Sequence, residues 1–261
     1  MADDSLKETG SGKLSFATFL SMFIRSFLIQ GSFSQKYRQN TGFLFCINPV
    51  GKKLWKNDSD YQEFCHRHLD YYNGNPFMIT LVLGAVARLE EQMQQGEGMT
   101  GKTISGFKKA VGAATGSVGD RLFWSTLRPL AIIIGILSIY HFGIWGVIPL
   151  LVIFNIPNAL LRWHWLRHGY ELGTNVIGEI KNETIQRAET LIGRLNAILL
   201  GFLTIILLRV GSITFAGPTL FTIAVFFISL YFYKRNRSVS FVVLLFLAAI
   251  ILAAFAIFLL G

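Results

Sequence analysis

The residue types best suited to metal chemistry crowd into one short stretch of this chain. Cys65, His66, His68 and Asp70 all lie within FCHRHLD, and such side chains are common transition-metal ligands. Residues two apart do not share a helix face, however, and neither Cys nor His recurs nearby at a spacing typical of a zinc site. We therefore expect no metal site and no cofactor here.

A second polar group lies in YYNGNPFM, where Asn73 and Asn75 flank Gly74 directly before Pro76 and an apolar run. One interpretation is a helix entry, with Asn75 as the N-cap and Pro76 at the first helical position. The other is a polyol site, because amides offer both donors and acceptors to a ligand such as a sugar. The residues alone leave both interpretations open.

Carboxylates form a third group beside apolar segments. Glu90 and Glu91 end the run that follows Pro76, and Asp120 precedes Phe123-Trp124. An unpaired charge next to a membrane-embedded helix is costly, so these carboxylates are functional candidates. Surface placement of the two glutamates at a helix end is an equally open alternative.

The glycines of VGAATGSVGD, which ends at Asp120, could suggest a phosphate-binding loop. The stretch lacks the Lys-Ser/Thr ending of a P-loop and follows no recognisable strand. Small residues also allow close helix packing in a membrane protein. We favour the packing interpretation.

The composition of the chain indicates whether these groups lie in a soluble or a membrane protein. Of the 261 residues 52% are hydrophobic, 15% are charged and 23 are Phe, whereas an ordinary soluble domain is about 25% charged. This excludes a disordered, collagenous or coiled-coil chain and indicates a lipid-embedded protein. The excess of 24 Lys and Arg over 15 Asp and Glu forms no basic stripe with interleaved aromatics. We therefore expect cytoplasmic basic loops and no nucleic-acid partner.

The hydropathy pattern predicts an all-α, polytopic membrane protein. A polar tail, 1–13, is not followed by a signal peptide. Residues 176–194 form a cytoplasmic connection, because the segment 162–194 carries five basic residues. The last part, 195–261, holds about three transmembrane helices, at 195–213, 215–233 and 239–260. The loop KRNRS between the last two contains three basic residues and should be cytoplasmic.

Shorter apolar runs lie upstream. Residues 129–157 form one long apolar run with His141 and nearby glycines at its middle. A single span would put the N-terminal half, with 15 of the 24 basic residues, outside, so we predict a helix broken near 141–146 that returns to the same side. Residues 14–30 predict an amphipathic helix, and 76–91 suit an interfacial, re-entrant or core helix. For residues 92–120 the sequence predicts a loop that leads into a weakly packed helix.

Several separate blocks resemble the IID component of the mannose-family phosphotransferase permeases. They follow the family's order and spacing over about residues 20–175, and the later region looks shorter than is usual. The blocks are FIRSFLIQGSF, TGFLFCINPVGKKLW, HRHLDYYNGNPFMITLVLGAVARLEEQ, GSVGDRLFWSTLRPL and VIFNIPNALLRWHWLRHGYELG.

This resemblance implies a non-catalytic membrane subunit of an oligomeric complex. With a IIC partner it would bind and translocate a hexose, which IIB phosphorylates with phosphate passed from phosphoenolpyruvate through IIA. The implied location is the bacterial cytoplasmic (inner) membrane, with several spans and with the N-terminus and the basic loops in the cytoplasm. The region 14–175 carries the family motifs.

By position and chemistry, the resemblance makes Asn73 and Asn75 candidate sugar-pocket or gate residues, together with Glu90 and Glu91. A second set, at the end of the glycine block, marks a candidate subunit interface or gate: Gly119, Asp120, Trp124 and Arg128.

Two departures from the family pattern keep an alternative open. Gly74 stands where a hydroxyl residue is usual, and the glycine block lacks the family's proline. A diverged scaffold or regulatory subunit without transport is therefore the second hypothesis. A lipid-acting membrane enzyme is disfavoured, because His66, His68 and Asp70 lie too close together in a polar stretch.

Overall fold

The computed structural model describes residues 14–180 and 183–210, and every regular element within them is helical. This confirms the predicted all-α class. The helices are α1 (Phe16–Ser26), α2 (Asn40–Leu54), α3 (Asp58–His68), α4 (Ile79–Gln94), α5 (Gly101–Gly119), α6 (Arg128–Phe142), α7 (Val147–Leu172), α8 (Val176–Ile180) and α9 (Glu183–Val210). A π-helical segment, Asp120–Leu127, joins α5 to α6. The chain divides into two compact units, Met1–Leu199 and Leu200–Gly261, and the site described below lies in the first.

Helix α4 is the central core helix, since most of its residues, including all from Ile79 to Ala87, are buried. Helix α7 crosses it at very close range. A Cβ atom on Gly84 would lie 2.1 Å from the Leu166 carbonyl oxygen, and one on Gly169 would lie 2.2 Å from that of Leu81. Of the three alternatives for residues 76–91, the structure therefore supports the core helix.

Helix α1 has the predicted amphipathic character. The Ser15 hydroxyl caps its N-terminus by accepting from the Thr18 amide at 3.4 Å. Met22 lies in the core, whereas the Phe16 and Ile24 side chains on the other face are 61% and 58% exposed. An apolar face of this kind suits a membrane surface or a partner protein.

The predicted order of a loop and then a helix over 92–120 is found, but the loop begins later than predicted. Helix α4 continues to Gln94 and α5 begins at Gly101, so the connecting loop spans only 95–100. Thr100 caps α5 through its hydroxyl. Nor is α5 weakly packed, because the glycines bring its backbone close to the neighbouring loop, as described below.

The predicted break in 129–157 is confirmed. Helix α6 ends at Phe142, and the φ of +57° at the next residue, Gly143, is readily adopted only by glycine. A 3₁₀ turn, Gly143–Gly146, leads into α7. The two helices pack against each other, since a Cβ on Gly135 of α6 would lie 2.8 Å from the Leu150 side chain of α7. At the tip of this hairpin, Ile144 and Trp145 are 78% and 71% exposed.

Within the described residues, one helical stretch, Gly101–Ile180, is long and apolar enough to cross a membrane, judged by length and composition. Only 22% of its most apolar window is buried inside the protein. The predicted tail 1–13 and the predicted spans 215–233 and 239–260 lie outside the described residues. The predicted boundary at 195 falls inside the continuous helix α9, so the number of C-terminal spans stays a prediction.

Candidate functional site

A cavity of about 450 Å³ lies between the loop that precedes α4 and the C-terminal half of α5. Its volume is within the roughly 300–1,000 Å³ typical of small-molecule sites. We call it the Asn–Asp cavity. Its lining residues are Gln30, Phe33, Gln39, Tyr71, Asn73, Gly74, Asn75, Pro76, Lys109, Ala113, Gly116, Ser117, Asp120 and Trp124.

Asn75 forms the inner wall of this cavity and is only 2% exposed. Its Oδ1 accepts from the backbone amides of Phe77 at 2.9 Å and Met78 at 3.3 Å, and its Nδ2 donates to Asp120 Oδ1 at 2.9 Å. The capping interaction predicted for Asn75 therefore exists. It caps a turn rather than the helix itself, because α4 begins at Ile79.

Asn73, by contrast, is exposed on the cavity surface. Its amide makes no hydrogen bond to any other residue in the part of the chain that the structure describes. The Asp120 carboxylate is also exposed, and of its two oxygens Oδ1 receives the Asn75 amide. The cavity thus offers a free amide and a largely free carboxylate, the groups that a polyol ligand would need.

Gln39, which the sequence did not single out, holds the Asn73 loop in place. It precedes α2, is 2% exposed, and its Oε1 accepts from the Gly74 amide at 3.3 Å. Its own backbone amide donates to the Tyr72 carbonyl at 2.9 Å. These contacts join residues more than thirty positions apart, so no local pattern in the sequence could have identified them.

The glycines of α5 form the floor on which this loop rests. A Cβ on Gly112 would lie 2.6 Å from the Tyr72 ring, and one on Gly119 would lie 2.4 Å from Asn75 Cγ. Gly116 lies beside the Gly74 backbone. The packing interpretation of the glycine block is thereby confirmed, and the packing serves the cavity directly.

The π-helical segment after Gly119 brings the second predicted set to the same place. Asp120 and Trp124 both line the cavity, and the Arg128 guanidinium lies 4.8 Å from the centre of the Trp124 ring. The Trp124 ring also contacts Phe77, with the ring centres 5.4 Å apart. The candidate sugar residues Asn73 and Asn75 and the candidate gate residues are therefore neighbours around one cavity.

Glu90 and Glu91 occupy different surroundings. Both are completely buried, so surface placement was wrong. Neither lines the Asn–Asp cavity. The Glu91 Oε2 accepts from Arg88 at 2.8 Å and from the Tyr170 hydroxyl. A sugar-binding role for these two glutamates stays a prediction, and the cavity geometry gives it no support.

Glu90 is the acceptor at the centre of a buried polar cluster. Its carboxylate accepts from Arg67 Nε at 2.7 Å and Nη2 at 2.6 Å, from Trp55 at 3.1 Å, and contacts His68 Nε2 at 3.0 Å. Lys108, also fully buried, donates to the Arg67 carbonyl at 2.9 Å. The cluster ties α2, α3, α4 and α5 together.

Burial and hydrogen bonding shift the pKa values of His68 and Glu90 in opposite directions. Desolvation lowers the pKa of His68 from 6.5 to about 4, although the hydrogen bond to Glu90 opposes the shift. Desolvation raises the pKa of Glu90, but the hydrogen bonds from Arg67 and His68 outweigh it and lower that pKa to about 2. At neutral pH the cluster therefore holds a charged Glu90 and a neutral His68.

The stretch that could have suggested a metal is divided between separate environments. His68 belongs to the Glu90 cluster, His66 is exposed, and Asp70 pairs with Lys109 at 3.3 Å. Lys109 also lines the Asn–Asp cavity, and its charge is already paired with that of Asp70.

The sequence also compares directly with known proteins. The profile of the family described as "PTS system mannose/fructose/sorbose family IID component" matches residues 13–258. The chain belongs to this family. Membership of the IID family makes it a mannose-family phosphotransferase membrane component, which confirms the resemblance found in the sequence blocks.

Two relatives illustrate the range of the IID family. The "Fructose permease IID component" of Bacillus subtilis (strain 168) is 30% identical over 175 residues, which cover 67% of this chain and 64% of the relative. The "PTS system mannose-specific EIID component" of Escherichia coli (strain K12) is 28% identical over 185 residues, covering 70% and 65%. The matched region thus spans a little under two thirds of the length of these relatives.

Solved structures show the same fold. A chain of "CryoEM Structure of Mannose Transporter ManYZ and Microcin E492 (MceA) complex" superposes with a TM-score of 0.60 at 27% identity, covering 74% of this chain and 71% of the other. A chain described as "Structure of membrane protein" gives a TM-score of 0.68 at 26% identity, covering 73% and 70%.

Proposed function

We propose that this IID chain is the non-catalytic membrane subunit of a mannose-family permease. With a IIC partner it binds a hexose and carries it across the membrane, and IIB phosphorylates the sugar with phosphate received through IIA. The observation that carries the proposal is the Asn–Asp cavity, which the family's own motif residues line.

The lining of the cavity suits a hexose. Sugar hydroxyls both donate and accept hydrogen bonds, and the Asn73 amide and the Asp120 carboxylate present matching groups. The rings of Phe33, Tyr71 and Trp124 supply apolar faces against which the C–H groups of a sugar ring can pack. Asn75 acts as a positioning residue, because its amide is already occupied by the backbone and by Asp120.

The proposed location is the bacterial cytoplasmic (inner) membrane, with the N-terminus and the basic loops in the cytoplasm. The broken hairpin of α6 and α7, whose tip exposes Ile144 and Trp145, supports insertion of this element into lipid. The basic residues of 162–194 support a cytoplasmic position for the following segment.

The direct test is uptake in a strain that lacks only this chain while IIA, IIB and IIC remain. We expect phosphoenolpyruvate-dependent phosphorylation of the transported hexose to disappear and to return when the wild-type chain is supplied. Normal uptake without the chain would remove the proposal.

The alternative is a scaffold or regulatory subunit that has lost transport, which the Gly74 substitution and the missing proline motivate. Asp120→Asn discriminates the two, because it keeps an oxygen for Asn75 but removes the negative charge from the cavity. A transporter should lose hexose uptake and still co-purify with IIC. An unchanged uptake rate with Asp120→Asn and with Asn73→Ala would favour the scaffold. Asn175→Ala, at an exposed position outside the cavity, is the matched control.

A further inference from the structure

A second cavity, of about 600 Å³, lies between α1, α4 and α7. We call it the α1–α7 cavity. Its lining residues are Leu14, Ser15, Phe16, Phe19, Arg88, Trp163, Arg167, Tyr170 and Glu171. It shares no lining residue with the Asn–Asp cavity.

Aromatic rings from two helices build its walls. The rings of Phe16 and Trp163 meet edge to face with centres 5.6 Å apart, and those of Phe19 and Tyr170 do so at 5.1 Å. Phe16 also belongs to the exposed apolar face of α1. The cavity is therefore continuous with a surface suited to the lipid interface, where aromatic residues of this kind concentrate.

Three charged side chains line the α1–α7 cavity, and they differ in whether another residue already pairs with them. Arg88 is paired with the buried Glu91 at 2.8 Å. Arg167 is exposed and forms no ion pair with any of the described residues. Glu171 is 66% exposed on its side chain, and its nearest basic group is His168 at 3.8 Å. An available cation and an available carboxylate thus stand beside apolar walls.

Arg167 and Glu171 are four residues apart on α7, so both side chains extend from the same helix face. A guanidinium is well suited to a phosphate oxygen. A carboxylate one turn away is suited to a primary ammonium, which donates three hydrogen bonds. This arrangement matches the two charges of a zwitterionic amino phospholipid and does not match a purely anionic one.

We propose that the α1–α7 cavity binds the headgroup of phosphatidylethanolamine. Arg167 contacts the phosphate, Glu171 accepts from the ammonium, and the first part of an acyl chain packs on Phe16 and Trp163. The lipid would fasten the amphipathic helix α1 to α7 at the membrane surface. This inference depends on membrane placement and is independent of hexose binding.

The test measures lipid binding to the full-length chain in nanodiscs that contain phosphatidylethanolamine or phosphatidylcholine with identical acyl chains. Phosphatidylcholine has the same phosphate but no N–H donor. We expect higher thermal stability and more retained lipid with phosphatidylethanolamine. Arg167→Gln should weaken binding of that lipid about tenfold, the usual effect of losing one charge-assisted hydrogen bond. Glu171→Leu, which removes the acceptor oxygens as well as the charge, should abolish the preference between the two lipids.

The matched controls are Arg187→Gln and Glu183→Gln, which alter an exposed ion pair on α9 with side chains 81% and 80% exposed. Both should keep the wild-type lipid preference. Equal binding of the two lipids by the wild-type chain would overturn the proposal. So would a preference that survives Glu171→Leu, or tighter binding of phosphatidylglycerol than of phosphatidylethanolamine.

Discussion

Two asparagines separated by a single glycine have different surroundings. Asn75 is 2% exposed and uses its amide for two backbone N–H groups and for Asp120. Asn73 is exposed and makes no hydrogen bond within the described residues. The sequence left open whether both asparagines face a ligand or Asn75 caps the following helix. The burial of Asn75 gives it a supporting role and leaves Asn73 available to a ligand.

Asn75→Ala should therefore lower the stability of the fold, whereas Asn73→Ala should weaken hexose uptake. Loss of the Asn75 amide should lower the free energy of unfolding by about 1–2 kcal/mol, because it removes a cap. Asn73→Ala should leave stability unchanged and raise the apparent KM for hexose uptake about tenfold. Thermal unfolding in detergent and uptake in cells measure the two effects. An Asn73→Ala chain that unfolds as early as Asn75→Ala would contradict this division of roles.

The buried His68 predicts a pH dependence of stability. Burial lowers its pKa from 6.5 to about 4, so between these values the unfolded chain binds a proton that the folded chain does not. Stability should fall as the pH falls from 6.5 towards 4, by at most about 1.4 kcal/mol per pH unit from this group.

In His68→Gln the free energy of unfolding should depend less steeply on pH, because the unfolded chain then takes up as much as one proton fewer than in the wild type. Unfolding measured at pH 7, 6 and 5 gives the two slopes. His66→Gln, on the same helix but exposed, is the control for the loss of an imidazole. An identical slope in His68→Gln and in the wild-type chain would show that His68 binds its proton equally in both states.

At the scale of elements, glycines determine how closely the helices approach. Gly84 and Gly169 let α4 and α7 cross with their backbones in contact, and Gly119 lets α5 reach Asn75. The π-helical segment that follows then places Asp120 and Trp124 on the cavity. Such segments often occur at functional sites.

Gly84→Ala tests the close crossing. The added methyl group would lie 2.1 Å from the Leu166 carbonyl oxygen, and we expect a loss of about 1–3 kcal/mol in the free energy of unfolding. Gly106→Ala, whose Cβ would meet nothing within 4 Å, is the matched control and should gain up to about 1 kcal/mol from helix propensity. Equal midpoints of thermal unfolding for the two variants would rule out a backbone-to-backbone crossing at Gly84.

The elements that follow local rules could be predicted from the sequence. The amphipathic α1, the break near Gly143 and the packing role of the glycine block all follow from periodicity, glycine position and small side chains. The burial of Glu90 could not be predicted, because its partners are distant in the sequence: Arg67 belongs to α3 and Trp55 directly follows α2. The role of Gln39 depends likewise on a loop more than thirty residues away.

At the scale of the whole molecule, exposed apolar surface requires a membrane or a partner. The hairpin tip exposes Phe142, Ile144 and Trp145, each at least 68%, and a charge placed there would be costly in lipid. The family membership and the fold likeness to a chain of a mannose transporter complex agree with a subunit that works inside such an assembly.

Ile144→Lys should therefore reduce the amount of chain recovered in the membrane fraction, and uptake should fall with it. Ile177→Lys is the matched control, since Ile177 is 53% exposed and lies in the predicted cytoplasmic connection. Quantitative immunoblotting of membrane fractions measures the effect. Full recovery of Ile144→Lys would place the hairpin tip in water.

The most direct test of the central claim is equilibrium binding of hexoses to this chain purified together with its IIC partner. Glucose, mannose, fructose, sorbose and amino sugars form the panel. We predict saturable binding of at least one sugar, weakened about tenfold by Asn73→Ala and by Asp120→Asn, which each remove one ligand contact, and unchanged by Asn175→Ala. Binding that is identical in the wild-type pair and in both cavity variants would contradict the assignment of the Asn–Asp cavity as the sugar site.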